Sequence, residues 1–133
     1  MTPTRIAHVG IAVKSIDALL PFFRDVLGLT EAALDNSDGA RISGLDAGGS
    51  LIELLEPSAA DSPIAKFLEK RGPGLHHIAL RVPDLNAAVA GLKANGARLL
   101  NEPRAGAGGH VYVFVHPAST GGVLLELIQE STN

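Results

Sequence analysis

The feature that most constrains this chain of 133 residues is that it repeats itself. Residues 6–18, IAHVGIAVKSIDA, align without gaps on residues 75–87, LHHIALRVPDLNA, at an offset of 69. His8 meets His77, Val13 meets Val82, Ile16 meets Leu85 and Ala18 meets Ala87. Further on, GSLIELLEP resembles GGVLLELIQE at an offset of 73, a drift that a difference in loop length absorbs. Repetition of an element order means that one supersecondary unit is built twice. Each half reads strand, helix, then several strands, the last of them carrying a glutamate. The expected fold is therefore α+β, with two βαβββ modules related by a pseudo-twofold axis. The boundaries fall at about 5–57 for the first module, about 61–71 for a linker helix and about 75–130 for the second module. A length of 133 residues suits one core better than two, so residues 1–133 are expected to form a single domain.

Local signals agree with that outline. Each first strand is followed by a helical pattern, IDALLPFFRDVLG or LNAAVAGLKANG. Gly28 and Gly96 stand where a cap glycine belongs, and Ser15 and Asp84 stand where a side-chain oxygen caps a helix start. In the joining segment EPSAADSPIAKFLEKRGPG, Asp61 or Ser62 can cap and Pro63 suits the first helical position. Ile64, Phe67 and Leu68 form an apolar stripe at helical spacing, and Gly72-Pro73-Gly74 ends the helix.

Strand alternation decides where side chains point. In HVGIAV, His8, Gly10 and Ala12 share one face; in HIALRV, His77, Ala79 and Arg81 do. The Val, Ile and Leu residues on the opposite faces are the surfaces for helices to cover. His8 and His77 are thus expected on a concave face, each beside a small residue that leaves room. Glu53 in LIELL and Glu126 in LLELI are out of phase with their apolar neighbours. A carboxylate centred in an apolar strand is costly unless something replaces its hydration. A lone histidine or glutamate of this kind is commonly a packing or surface residue. Here both recur in register, which points to one divalent ion shared by His8, Glu53, His77 and Glu126. His76 is in the wrong phase and is expected to be a structural neighbour.

The chain has no cysteine, so any metal ligands must be nitrogen or oxygen. Imidazole with carboxylate suits Co²⁺, Ni²⁺, Mn²⁺, Fe²⁺ or Zn²⁺. Four protein ligands leave an octahedral ion two positions for a bidentate oxygen substrate. Such an ion can hold the charge that develops when a carbon-bound proton leaves. A formal charge of −3, without a Lys/Arg cluster, argues against nucleic acid. No run reaches the ~18 apolar residues of a membrane span and no signal-peptide pattern opens the sequence, so a cytoplasmic protein is expected.

At these residues the chain resembles the vicinal oxygen chelate superfamily, whose paired βαβββ modules form a metal-lined cup (the glyoxalase-like fold). HVGIAVKSID, DSPIAKFLEKRGPGLHHIALRV and HPASTGGVLLEL carry the resemblance, which is closest to the methylmalonyl-CoA epimerases. The resemblance implies the same four ligands, Co²⁺ as the favoured ion, and an acyl-CoA substrate whose 2R and 2S forms are interconverted. It also implies a homodimer, in keeping with the tendency of exposed sheet edges to be covered. Inversion needs an acid/base on each side of the substrate carbon. The resemblance implies that Glu126 is one; the family's second is a loop glutamate, which ALDNSDGARISG lacks, leaving Asp38 or Asp35. Gly108 stands where those epimerases tend to carry His, with His110 two places on. Arg81 and Arg104 are candidates to meet an anionic substrate group. Three other functions fit the superfamily: a glyoxalase I-type isomerase acting on a glutathione hemithioacetal, a dioxygenase, and a small-molecule binder. Glu53 argues against the dioxygenase, which uses two His and one carboxylate, and the intact quartet argues against the binder.

Overall fold

A computed structural model describes residues 3–32, 39–106 and 109–130. It divides into two compact units, His8–His76, and Met1–Ala7 with His77–Asn133.

The unit His8–His76 takes most of strand β1 (Arg5–Ala12), followed by α1 (Ile16–Leu20), β2 (Thr30–Ala32), β3 (Ala40–Asp46), β4 (Leu51–Pro57) and α2 (Pro63–Arg71). Its strands run in the order β2–β3–β4–β1, antiparallel except that β1 lies parallel to β4. Ser15 caps α1 as expected, its Oγ accepting from the Ala18 N–H at 3.2 Å. The helix expected across residues 16–28 is α-helical only as far as Leu20; Pro21–Val26 widens into a π-helical segment. Pro21 has no N–H to donate and its ring crowds the preceding turn, so the regular ladder cannot continue through it. The Leu27 N–H donates instead to the Phe22 carbonyl, five residues back, at 3.0 Å. Gly28, at φ +76°, then turns the chain out of the helix.

Two apolar layers flank this sheet. Val13, Ile16, Leu45 and Leu54 are buried with Ile11, Leu19, Leu20 and Phe23 beneath α1. Burying each such aliphatic side chain contributes about 1.5–3 kcal/mol. On the other side, Ala12, Ala40 and Leu55 are buried against Ile64, with Phe67 and Leu68 beside them. The linker helix therefore covers part of the face that carries His8, at its Ala12 end. Ser62 caps that helix through the Ala65 N–H at 3.1 Å, and Gly72 closes it at φ +76°.

The other unit holds β5 (Gly74–Val82) from His77 onward, α3 (Leu85–Ala94), β6 (Arg104–Ala105), β7 (Val111–Val115) and β8 (Leu124–Gln129). The strand order is β6–β7–β8–β5, again antiparallel except for the parallel pair β5/β8. Asp84 caps α3 by accepting from Ala87 N–H at 3.0 Å. Val82, Leu85, Val89, Val113, Val115 and Leu127 form the core beneath the helix. Ala7, Ala79 and Ile128 are buried on the opposite side, with Tyr112 packed against them. Apart from α2, both units thus have the same order of strands and helix and the same single parallel pair.

The registers repeat as well. Gly10 lies opposite Glu53 in β1/β4, and Ala79 lies opposite Glu126 in β5/β8. The offsets of 69 and 73 read from the sequence carry the first pair onto the second, residue for residue.

Candidate metal-binding site

Each unit brings one imidazole to one carboxylate. In β1/β4, His8 pairs in register with Leu51, and Glu53 is two residues further along the partner strand on the same face. Gly10, directly opposite Glu53, has no side chain to separate them. His8 Nδ1 and Glu53 Oε2 lie 3.3 Å apart, with side chains 13% and 11% exposed. In β5/β8, His77 is opposite Leu124, Glu126 is two residues on, and Ala79 is the small residue between. There His77 Nε2 and Glu126 Oε1 lie 3.5 Å apart, with side chains 9% and 15% exposed.

The surroundings differ in one respect. Glu53 has Gly10 on one flank and Gly44 of β3 on the other. Glu126 has Ala79 on one flank and Phe114 of β7 on the other. The Phe114 ring meets the His77 imidazole edge to face at 6.2 Å, and Tyr112 meets Phe114 at 5.6 Å. Neither Gly44 nor Phe114 is among the residues expected from sequence to shape the site. An isolated glycine inside the strand RISGLD was the available signal, because it marks a close approach.

The donor chemistry suits a borderline divalent cation. His8 with Glu53 in one unit, and His77 with Glu126 in the other, each offer imidazole nitrogen and carboxylate oxygen, the donors that such an ion takes when no thiolate is present. Two donors each roughly 2.1 Å from an ion are about 3.0 Å apart at right angles and about 3.4 Å apart at the tetrahedral angle. The 3.3 Å separation of His8 and Glu53 falls in that range, and the 3.5 Å separation of His77 and Glu126 lies just above it.

The remaining expected residues are distributed as follows. His76 faces away from His77 and packs on Phe67 of α2, ring centroids 5.0 Å apart, as a structural neighbour should. Arg81, opposite Ile128, and Arg104, opposite Tyr112, fall in one row across β5, β8, β7 and β6. The Arg104 guanidinium stacks over the Tyr112 ring at 5.7 Å. No carboxylate pairs with either arginine among the described residues. His110 is exposed. Asp35, Asp38 and Gly108 lie outside the described residues.

Comparison with known proteins places these pairs in a family. Residues 7–114 match the model of the Glyoxalase/Bleomycin resistance protein/Dioxygenase superfamily, and the chain belongs to that superfamily. Within it, the chain is 40% identical to the mitochondrial methylmalonyl-CoA epimerase of Homo sapiens, over 94% of this chain and 73% of the relative. It is 42% identical to the ethylmalonyl-CoA/methylmalonyl-CoA epimerase of Cereibacter sphaeroides, over 94% of this chain and 97% of the relative. A solved variant of Streptomyces coelicolor methylmalonyl-CoA epimerase, in complex with 2-nitronate-propionyl-CoA, matches with a TM-score of 0.86 at 36% identity, covering 98% of this chain and 97% of that one.

Proposed function

We propose that this protein is a metal-dependent isomerase that interconverts the 2R and 2S forms of methylmalonyl-CoA. One observation carries the reading. The two largely buried His–Glu pairs, their side chains 9–15% exposed, stand at equivalent registers in a chain that aligns over 94% of its length with methylmalonyl-CoA epimerases. In this reading His8, Glu53, His77 and Glu126 together hold one ion per protomer, with Co²⁺ favoured over Ni²⁺, Mn²⁺, Zn²⁺ and Fe²⁺. When bound, the ion supplies Lewis-acid stabilisation of the negative charge that develops as the C2 proton leaves.

The protein's own groups move the proton. Glu126 takes the C2 proton from one side of the substrate carbon and can return it to the same side. Inversion requires a second acid/base opposite, a role we assign to Asp38, with Asp35 as the other carboxylate of that loop. The proton taken on one side is balanced by one delivered from the other, and no electrons are exchanged with a co-reactant. Phe114 and Tyr112 keep water from one flank of Glu126, which favours return of the proton to carbon. Arg81 and Arg104 stand on the same face as Glu126, two residues further along their strands, where a CoA ester's anionic groups can be met.

Deuterium uptake tests the reading. Methylmalonyl-CoA in ²H₂O is expected to exchange its C2 hydrogen with the protein plus Co²⁺ and not with the metal-free protein. Absence of exchange with every divalent ion, together with turnover of methylglyoxal plus glutathione, would replace this reading by the glyoxalase I-type isomerase.

Assembly and compartment follow from the same reading. The strands β2 and β6 each end a sheet, and such edges are commonly covered. A homodimer is expected, so light scattering at micromolar concentration should report twice the 13.7 kDa of the chain. A monomer mass would count directly against it. No helix among the described residues is long and apolar enough to cross a membrane. The absence of cysteine accords with a reducing cytoplasm, the compartment we assign.

A further inference from the structure

The ligand pairs sit on parallel strands, and parallel strands have no hairpin between them to set their register. A slip of two residues keeps every side chain on its proper face yet moves Glu126 about 6.6 Å along from His77. Something other than the hydrophobic pattern must hold β5 against β8, and β1 against β4.

Each unit has a polar side chain placed to do this. Gln129, three residues after Glu126 on β8, reaches back to the turn that joins β5 to α3. Its Oε1 accepts from the Leu85 N–H at 2.8 Å, and its Nε2 donates to the Pro83 carbonyl at 2.8 Å and to the Glu130 carbonyl at 3.2 Å. In the other unit, Glu56, three residues after Glu53 on β4, accepts from the Ile16 N–H at 2.8 Å. Its second oxygen accepts from Arg41 Nη1 at 3.4 Å. Leu85 and Ile16 are the first residues of α3 and α1, whose N–H groups have no partner inside the helix. The caps Asp84 and Ser15 serve a different N–H, two residues further on. The offsets of 69 and 73 carry Ile16 onto Leu85 and Glu56 onto Gln129, so the contact recurs along with the ligands.

We infer that Gln129 and Glu56 are register locks. Each bonds the strand carrying a ligand glutamate to the start of the helix that follows the strand carrying its partner histidine, and so sets the distance between imidazole and carboxylate. They are positioning residues and touch neither ion nor substrate. The chemistry differs between the two. Gln129 needs both an acceptor and donors, so glutamate cannot replace it, because a carboxylate would face the Pro83 and Glu130 carbonyls. Glu56 needs only acceptors, so glutamine can serve toward Ile16 while giving up Arg41.

The inference rests on the metal reading for one of its two measurements. Gln129→Leu and Gln129→Glu are compared with Asp84→Ala, which removes the cap of the same helix but leaves the lock in place. Co²⁺ affinity, followed by its visible absorption, is expected to fall at least tenfold in both Gln129 variants. It should stay within threefold of the parent in Asp84→Ala, even where the melting temperatures of the three fall equally. The second measurement needs no metal: the imidazole ¹⁵N resonances of His77 in the metal-free protein should move in the Gln129 variants and stay in place in Asp84→Ala. Parental His77 resonances in both Gln129 variants, or an equal change in Asp84→Ala, would overturn the lock. A parent chain that takes up no Co²⁺ would count against the metal reading alone, leaving the resonances to judge the register.

Discussion

Replacing His77 by alanine is expected to remove the bound divalent ion, while His76→Ala leaves it in place. The two histidines are adjacent in sequence and opposite in phase. His77 is 7% exposed, with Nε2 3.5 Å from Glu126, whereas His76 packs on Phe67. Loss of even a supporting residue typically costs a metal site roughly 10–100-fold in affinity, so loss of a ligand should exceed that. Elemental analysis of the purified variants checks it. About one ion per protomer is expected for the parent and His76→Ala, and none for His77→Ala. Equal loss from both would show that strand phase does not choose the ligand.

The second large effect separates proton removal from inversion. Glu126→Gln is expected to suppress both solvent exchange at C2 and epimerisation. Removing a positioned acid/base costs on the order of 10²–10⁴ in rate, and here a ligand is altered at the same time. Asp38→Asn should slow inversion by a similar factor while leaving exchange into one epimer largely intact, since Glu126 still serves its side. Asp35→Asn measured beside it identifies which loop carboxylate acts. The two rates are read from one incubation in ²H₂O, by mass for exchange and by chiral resolution for inversion. Inversion at the parent rate in both aspartate variants would exclude a base in that loop.

Much of this arrangement was legible in the sequence because it depends on period and repetition. Alternation alone put His8, Glu53, His77 and Glu126 on the polar phase of their strands. Side-chain caps marked the helix starts at Ser15 and at Asp61 or Ser62, of which Ser62 is the one used, and glycine marked the ends at Gly28 and Gly72. What escaped is set by tertiary contact. Phe114 lies opposite Glu126 only because β7 pairs with β8 in one register, which no local pattern encodes. Glu56 and Gln129 occupy equivalent places in LIELLEP and LLELIQE, yet nothing in either stretch shows that they reach a helix start 40 or more residues away. The π-helical segment was hidden for another reason. Pro21 announces a disturbance, but the apolar spacing of IDALLPFFRDVLG reads equally well as one regular helix.

The repeat invites the idea that the chain could be cut at Gly72-Pro73 into two halves, each able to fold. The membership of β1 argues otherwise. Its first residues, Arg5–Ala7, belong with residues 77–133: Ala7 is buried beside Ala79 and Ile128, and Arg5 bridges to Glu130 across 125 positions of sequence. A fragment beginning at residue 73 would lack that edge of its own core, and a fragment ending at residue 72 would leave Ala7 uncovered. During synthesis the first strand must wait, partly unsatisfied, until β8 has left the ribosome, since this closure is among the most non-local the chain can make. A circular permutant opened at Gly72-Pro73, with its old ends joined by a flexible linker, would make that contact early and is predicted to fold faster than the parent chain.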